Sequence, residues 1–105
     1  MIIDHRTYTL HPGKMKEYVD RYERIGLPLQ SKYLGSPLGW YISMDVGMLN
    51  QVVHLWAYRD LNDQVAVRAK VAQDPKWQTF LVKATPLLVE MRSIVLTPAP
   101  ASPMK

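Results

Sequence analysis

The sequence predicts an α+β fold, a ferredoxin-like β-α-β-β-α-β subunit with an antiparallel sheet and its helices on one face. Three observations carry this. Four runs, near residues 2–10, 38–46, 49–58 and 88–96, are rich in β-branched and aromatic residues with a two-residue alternation. The stretches between the first and second runs, and between the third and fourth, instead repeat apolar residues every three or four positions, the helical period. Between the second and third runs stands only a short connection around Gly47-Met-Leu-Asn50, the length of a hairpin.

Taken in order, Ile2 to Leu10 is the first strand, and His11-Pro12-Gly13 breaks it. A helix is expected from Lys14 to Ile25, with Met15, Tyr18, Val19, Tyr22 and Ile25 as its apolar stripe and Gly26 as a left-handed cap. Leu27-Pro28-Leu29 starts a second helical piece, with proline at a tolerated first-turn position, and Gly35-Ser-Pro37 ends it. The second strand runs from Leu38 to about Val46, and the third covers Leu49-Asn-Gln-Val-Val-His-Leu-Trp-Ala-Tyr58. Asp60 suits an N-cap, with Asp63 as an acidic third residue, opening a helix whose inner face is expected to hold Leu61, Val65, the stem of Arg68, Ala69 and Ala72. Asp74-Pro75 restarts the helix, and Thr85-Pro86 ends it before the last strand, Leu88 to Leu96. Residues 1–96 form one domain, and 97–105 a Pro-rich tail expected to be loosely draped or disordered.

The β-α-β-β-α-β order places the first and third strands side by side in the sheet centre, where a parallel pairing is expected, and leaves one sheet face bare. Along the third strand Val53, Leu55 and Ala57 share a small apolar face, which suits packing under helices. Val52, His54, Trp56 and Tyr58 share the other, which is then expected on the bare side with Asp4, Arg6 and Tyr8 of the first strand. An exposed aromatic patch of that size predicts a second copy laid sheet to sheet, a homodimer enclosing a cavity as a dimeric α/β-barrel. The opposite set on the first strand, His5, Thr7 and Thr9, is poorly hydrophobic for a surface under helices, which strains that assignment.

Composition narrows the function. The 105-residue chain has no cysteine, so thiolate chemistry and Cys-ligated metals are excluded. A formal net charge of +4 is spread over helix faces that mix both signs, with pairs such as Glu17–Arg21 and Asp20–Arg24, so neither a nucleic-acid partner nor a membrane partner is expected. With no apolar run of membrane-spanning length and no signal-peptide pattern, a soluble cytoplasmic protein is expected. His5, His11 and His54 lack the spacing of a metal site, and Gly13 stands alone rather than in a phosphate-cradling loop, so no metal or cofactor is expected.

His54 is the candidate acid/base, because its unperturbed pKa near 6.5 suits proton transfer; the competing reading is a core histidine bonded to a tyrosine or a backbone carbonyl. Arg6 is the candidate anchor for a ligand carboxylate or phosphate, unless Asp4, Asp45 or Glu90 pairs with it. Tyr8, Trp40, Trp56 and Tyr58 are candidate pocket walls, against the alternative of interface packing.

Arg6-Thr-Tyr-Thr-Leu10, Pro12-Gly-Lys14, Leu49 to Tyr58 and Asp74-Pro-Lys-Trp77 together resemble the NIPSNAP family over nearly the whole chain before the tail. The resemblance implies a dimeric α/β-barrel of ferredoxin-like subunits and marks Arg6, Tyr8, Asn50, His54 and Trp56 as the positions that match the family's pattern, which adds Asn50 to the candidate ligand-binding residues. It implies an apolar residue where His5 stands. The wider barrel group includes cofactor-free monooxygenases, muconolactone-type isomerases and haem-binding enzymes, by analogy of fold alone. The resulting expectation is a homodimer with a small-molecule cavity and cofactor-free monooxygenase or isomerase chemistry. The alternative is a non-catalytic dimerisation or protein-interaction module.

Overall fold

The computed structural model describes residues 1–104. Strands β1 (Ile2–Leu10), β2 (Gly39–Ser43), β3 (Gln51–Tyr58) and β4 (Leu88–Leu96) form one sheet in the order β2-β3-β1-β4. Every neighbouring pair is antiparallel, including the central pair β1 and β3, with Arg6 opposite His54 and Asp4 opposite Trp56. The expected parallel pairing of β1 and β3 is therefore wrong. The helical crossover returns the chain so that β2 runs parallel to β1, and the hairpin then reverses it, so β3 must oppose β1. The hairpin loop is also longer than expected. The second strand stops at Ser43, whose hydroxyl donates to the Met48 carbonyl at 2.6 Å and ties residues 44–50 into an irregular turn.

The first crossover departs from the expected helix–cap–helix pattern. Helix α1 (Met15–Arg21) passes through a five-residue π turn (Tyr22–Gly26) straight into α2 (Leu27–Leu34). Gly26 is right-handed, with φ −68° and ψ −49°, and caps nothing. Pro28 supplies the reason: it has no N–H for the Arg24 carbonyl, and its ring would crowd that turn of an α-helix. The wider π turn absorbs the misfit, and the Leu27 N–H reaches back to the Tyr22 carbonyl instead. Glycine at position 26 is needed for close approach, since a Cβ there would stand 2.7 Å from both the Phe80 and Tyr22 rings. The extra residue shifts the buried stripe to Met15, Tyr18, Tyr22, Gly26 and Gln30 and turns Ile25 out to the surface.

The caps of α3 (Leu61–Gln73) and α4 (Pro75–Ala84) match the sequence. The Asp60 carboxylate accepts the Asp63 N–H at 2.8 Å, Asp63 accepts the Arg59 N–H at 3.0 Å, and Asp74 accepts the Lys76 N–H at 2.8 Å. The inner face of α3 differs. Leu61 and Val65 are exposed, and Gln64, Arg68 and Val71 turn towards the sheet. The helix rotates because a buried carboxylate on β1 draws Gln64 and Arg68 onto it. The core joins Tyr8, Leu10 and Val52 of the sheet to Met15, Tyr18, Tyr22, Phe80 and Ala84 of the helices. After β4 the tail makes a turn, with the Ser102 N–H on the Ala99 carbonyl at 2.9 Å, and lies by Ile3 and Leu96; its last residue, 105, falls outside the described residues.

Candidate functional site

The candidate side chains lie on the helix side of the sheet, not on the bare side. Along β3 the residues Val52, His54, Trp56 and Tyr58 are buried, while Val53, Leu55 and Ala57 are only half-buried. The Tyr22 ring of the π turn stands 5.9 Å from the His54 ring, and Arg68 of α3 donates to the Tyr58 hydroxyl at 3.0 Å, so that face meets the helices. The expected facing is thus reversed. Tyr58 finds a partner on α3, and Asp4 on the same face of the sheet draws Gln64 and Arg68 of α3, contacts the bare face does not offer. The weakly hydrophobic His5-Thr7-Thr9 set, which strained the first assignment, lies on the bare face with Val53, Leu55 and Ala57.

Asp4 is the anchor of this interior. Its carboxylate is fully buried, yet accepts from Ser93 Oγ at 2.6 Å, Gln64 Nε2 at 2.8 Å and Arg6 Nε at 2.9 Å, with Arg68 at 3.5 Å. Burial alone would raise its pKa; the hydrogen bonds from Ser93 and Arg6 and the charges of Arg6 and Arg68 outweigh it and hold the carboxyl below its ordinary value. Arg6 also donates to the Tyr8 hydroxyl at 3.1 Å. Two guanidiniums therefore share one carboxylate, and the cluster carries a net positive charge. It opens to solvent through its cations: the side chains of Arg6 and Arg68 are 19% and 20% exposed, against 0% for Asp4. The helix-side residues of β4 that pair with β1 here, Met91, Ser93 and Val95, stand exposed beside this opening.

His54 sits beside the cluster, boxed by rings. Tyr8, Trp40, Tyr22 and Trp56 lie 5.0, 5.7, 5.9 and 5.9 Å from it, centroid to centroid. The Trp56 indole N–H donates to His54 Nδ1 at 2.7 Å, which places the imidazole proton on Nε2. That Nε2–H is buried and has no hydrogen-bond partner among the described residues. Burial, joined by the charges of Arg68 and Arg6, lowers the His54 pKa from 6.5 to about 3. The ring is therefore neutral near pH 7, with its basic nitrogen occupied. It is built to donate one hydrogen bond, which fits poorly with the expected acid/base role.

Of the other expected residues, Arg6, Tyr8, Trp56 and Tyr58 gather with His54 on this face. Asn50 does not join their hydrogen bonds. It takes a left-handed conformation, φ 60°, just before β3, and its backbone carbonyl accepts the Leu10 N–H at 2.8 Å, so its place in the pattern fits a turn. Sequence reasoning missed Gln64, Arg68 and Ser93 as members of the cluster. The available signal was Arg68 itself, a charged residue at an inner helix position, read only as an aliphatic stem. Among the described residues no three His, Cys, Asp or Glu side chains come together as a metal site, and no helix is long and apolar enough to cross a membrane.

A sequence model of the NIPSNAP family matches residues 3–103. The mouse protein "NipSnap homolog 2" is 32% identical over 104 residues, covering 99% of this chain but 36% of its own length; this chain thus spans about a third of that relative. Among solved structures, protein Atu4242 from Agrobacterium tumefaciens is 33% identical with a TM-score of 0.95, covering 100% of both chains. An uncharacterised NIPSNAP-like domain protein from Burkholderia xenovorans is 41% identical with a TM-score of 0.89, covering 97% of this chain and 88% of its own. A putative antibiotic biosynthesis monooxygenase from Nitrosomonas europaea, 12% identical with a TM-score of 0.65 over 93% of this chain and 98% of its own, shares the fold.

Proposed function

Because this chain belongs to the NIPSNAP family, whose fold leaves its chemistry open, we propose from its own side chains that it binds a small organic acid between α3 and the sheet. The observation that carries this is the charge count of the interior cluster: Arg6 and Arg68 share the single carboxylate of Asp4 and remain partly exposed. A ligand carboxylate would bring the missing negative charge and accept bidentate hydrogen bonds from a guanidinium. Its apolar body would lie on Met91 and Val95, which are exposed on the same face of β4.

Tyr8 links the arginine cluster to the imidazole. Its hydroxyl takes an Arg6 N–H and its ring stands edge-on to His54. The unpartnered Nε2–H is a preorganised donor in a water-poor setting, which suits an enolate or phenolate oxygen of a ligand that reaches it. Stabilising such an oxyanion is a step common to isomerisation and to cofactor-free oxygenation, and either chemistry is compatible with this role. Asp4 then acts as the fixed counter-charge that sets both arginines, and Trp56 holds the histidine tautomer.

Thermal unfolding at pH 7 with benzoate and with its uncharged methyl ester tests the reading. Benzoate is expected to raise Tm in a concentration-dependent way and the ester to leave it unchanged. Arg68→Gln is expected to weaken the benzoate effect at least tenfold. Equal responses to acid and ester, or no response to benzoate, would refute an anion site here.

A homodimer formed through the bare sheet face accompanies this proposal. Ile3, Val53, Leu55, Ala57 and Ile94 share that face, and in a single chain nothing among the described residues of the helices covers it.

A further inference from the structure

A cavity of about 520 Å³ lies away from the arginine cluster, between the π turn with α2 on one side and α4 on the other. Its floor is apolar: Ile25, Pro28, Leu29 and Phe80. Ile25 is there because the π turn rotates it out of the core stripe, and Phe80 is there because Gly26 lets its ring approach. Cations stand on both banks, Arg21 and Arg24 on one and Lys76 and Lys83 on the other, with no acidic residue in the lining. Lys76 and Lys83 are seven residues apart on α4, about 10 Å along its axis. Among the described residues, the ion pairs within 4.0 Å engage neither Arg24, Lys76 nor Lys83. Arg21 Nε is buried without a hydrogen bond, its carboxylate neighbour Glu17 standing 3.7 Å away.

An apolar trough with unpaired positive charge on both sides asks for a ligand with an apolar body and an anionic head. The volume falls in the range of roughly 300–1,000 Å³ typical of small-molecule sites. A cation would be repelled from both banks, and a neutral apolar ligand would leave Arg24, Lys76 and Lys83 without a counter-charge. We propose that this groove binds a medium-chain fatty carboxylate, its chain along Ile25, Leu29 and Phe80 and its head between Arg24 and the α4 lysines. The site is independent of the interior arginine cluster and does not rest on the function proposed for it.

The test is a ¹⁵N–¹H NMR titration of the whole protein with decanoate below its micelle concentration, beside octanoate and decyltrimethylammonium. Decanoate is expected to shift the amides of Ile25, Leu29, Thr79 and Lys83, and to bind roughly tenfold more tightly than octanoate because two more methylenes are buried. The cationic amphiphile is expected not to bind. Lys76→Glu with Lys83→Glu is expected to weaken decanoate at least tenfold. Thr79→Trp, at an exposed lining position, is expected to fill the groove and block binding with the spectrum otherwise preserved. Equal binding of the cationic amphiphile, decanoate shifts confined to the bare sheet face, or unchanged binding in the Thr79→Trp protein would each overturn the proposal.

Discussion

At the scale of single residues, Asp4 and His54 show how burial and partners set chemistry. Both are closed from solvent, and both have pKa values below their ordinary ones for different reasons. Burial dominates for His54, helped by Arg68 and Arg6 and opposed by Asp4, and brings its pKa to about 3. In the unfolded chain the same group protonates near 6.5, so between the two values the unfolded state holds the extra proton. Stability should therefore fall as pH drops below 6.5, with a slope of up to about 1.4 kcal/mol per pH unit from this group. Asp4 adds the same sign lower down, because its contribution is lost as pH falls below its unfolded 3.8 towards its folded value. Urea unfolding between pH 7 and 4.5 checks this. His54→Gln, whose amide oxygen can still accept the Trp56 N–H, should flatten the slope, and an unchanged slope would assign it elsewhere. The residue scale is also where the sequence was least legible. Arg6, His54, Trp56 and Tyr58 stood out by type and alternation, but a side chain's alternation says only that two faces exist. Which face meets the helices turns on Gln64 and Arg68 of α3, 60 and 64 positions from Asp4 in the chain.

At the scale of elements, the π turn is the feature that local rules misread. Gly26 before Pro28 has the composition of a helix end, and both residues were read by their commonest use. Tertiary packing overrides this, since Gly26 closes against Phe80 and Tyr22 and the helix continues beyond it. Gly26→Ala should then destabilise the fold by about 1–3 kcal/mol through overpacking, although alanine is the better helix former. Chemical denaturation measures this, and a stabilised variant would show that the ring contacts are looser than described. The caps at Asp60 and Asp74 were legible because a cap is a local event, complete within three residues. The rotation of α3 was not, because Leu61, Val65, Ala69 and Ala72 form as good an apolar stripe as the one the buried carboxylate selects.

At the scale of the molecule, strand order and class were readable from the succession of elements, since one crossover, one hairpin and a second crossover leave few topologies. The side of the sheet that carries the site was not, and the reversal changes the role of the bare face. It carries Val53, Leu55, Ala57 and Ile94 beside His5, Thr7 and Thr9, and is the face proposed to pack against a second copy, while the proposed ligand contacts lie on the helix side. Leu55→Lys on the bare face should accordingly shift the protein from dimer to monomer in sedimentation equilibrium while leaving benzoate binding intact. A wild-type monomer would remove the dimer proposal without touching the interior site.

A neutral His54 donor beside an anion-binding arginine pair is tested by a long-range ¹H–¹⁵N NMR spectrum of the histidine rings. His54 is expected to keep its proton on Nε2 from pH 8 down to pH 4.5, and benzoate added at pH 7 is expected to move its Nε2 resonance. A His54 that titrates near 6.5, or an Nε2 resonance indifferent to benzoate at saturation, would contradict it.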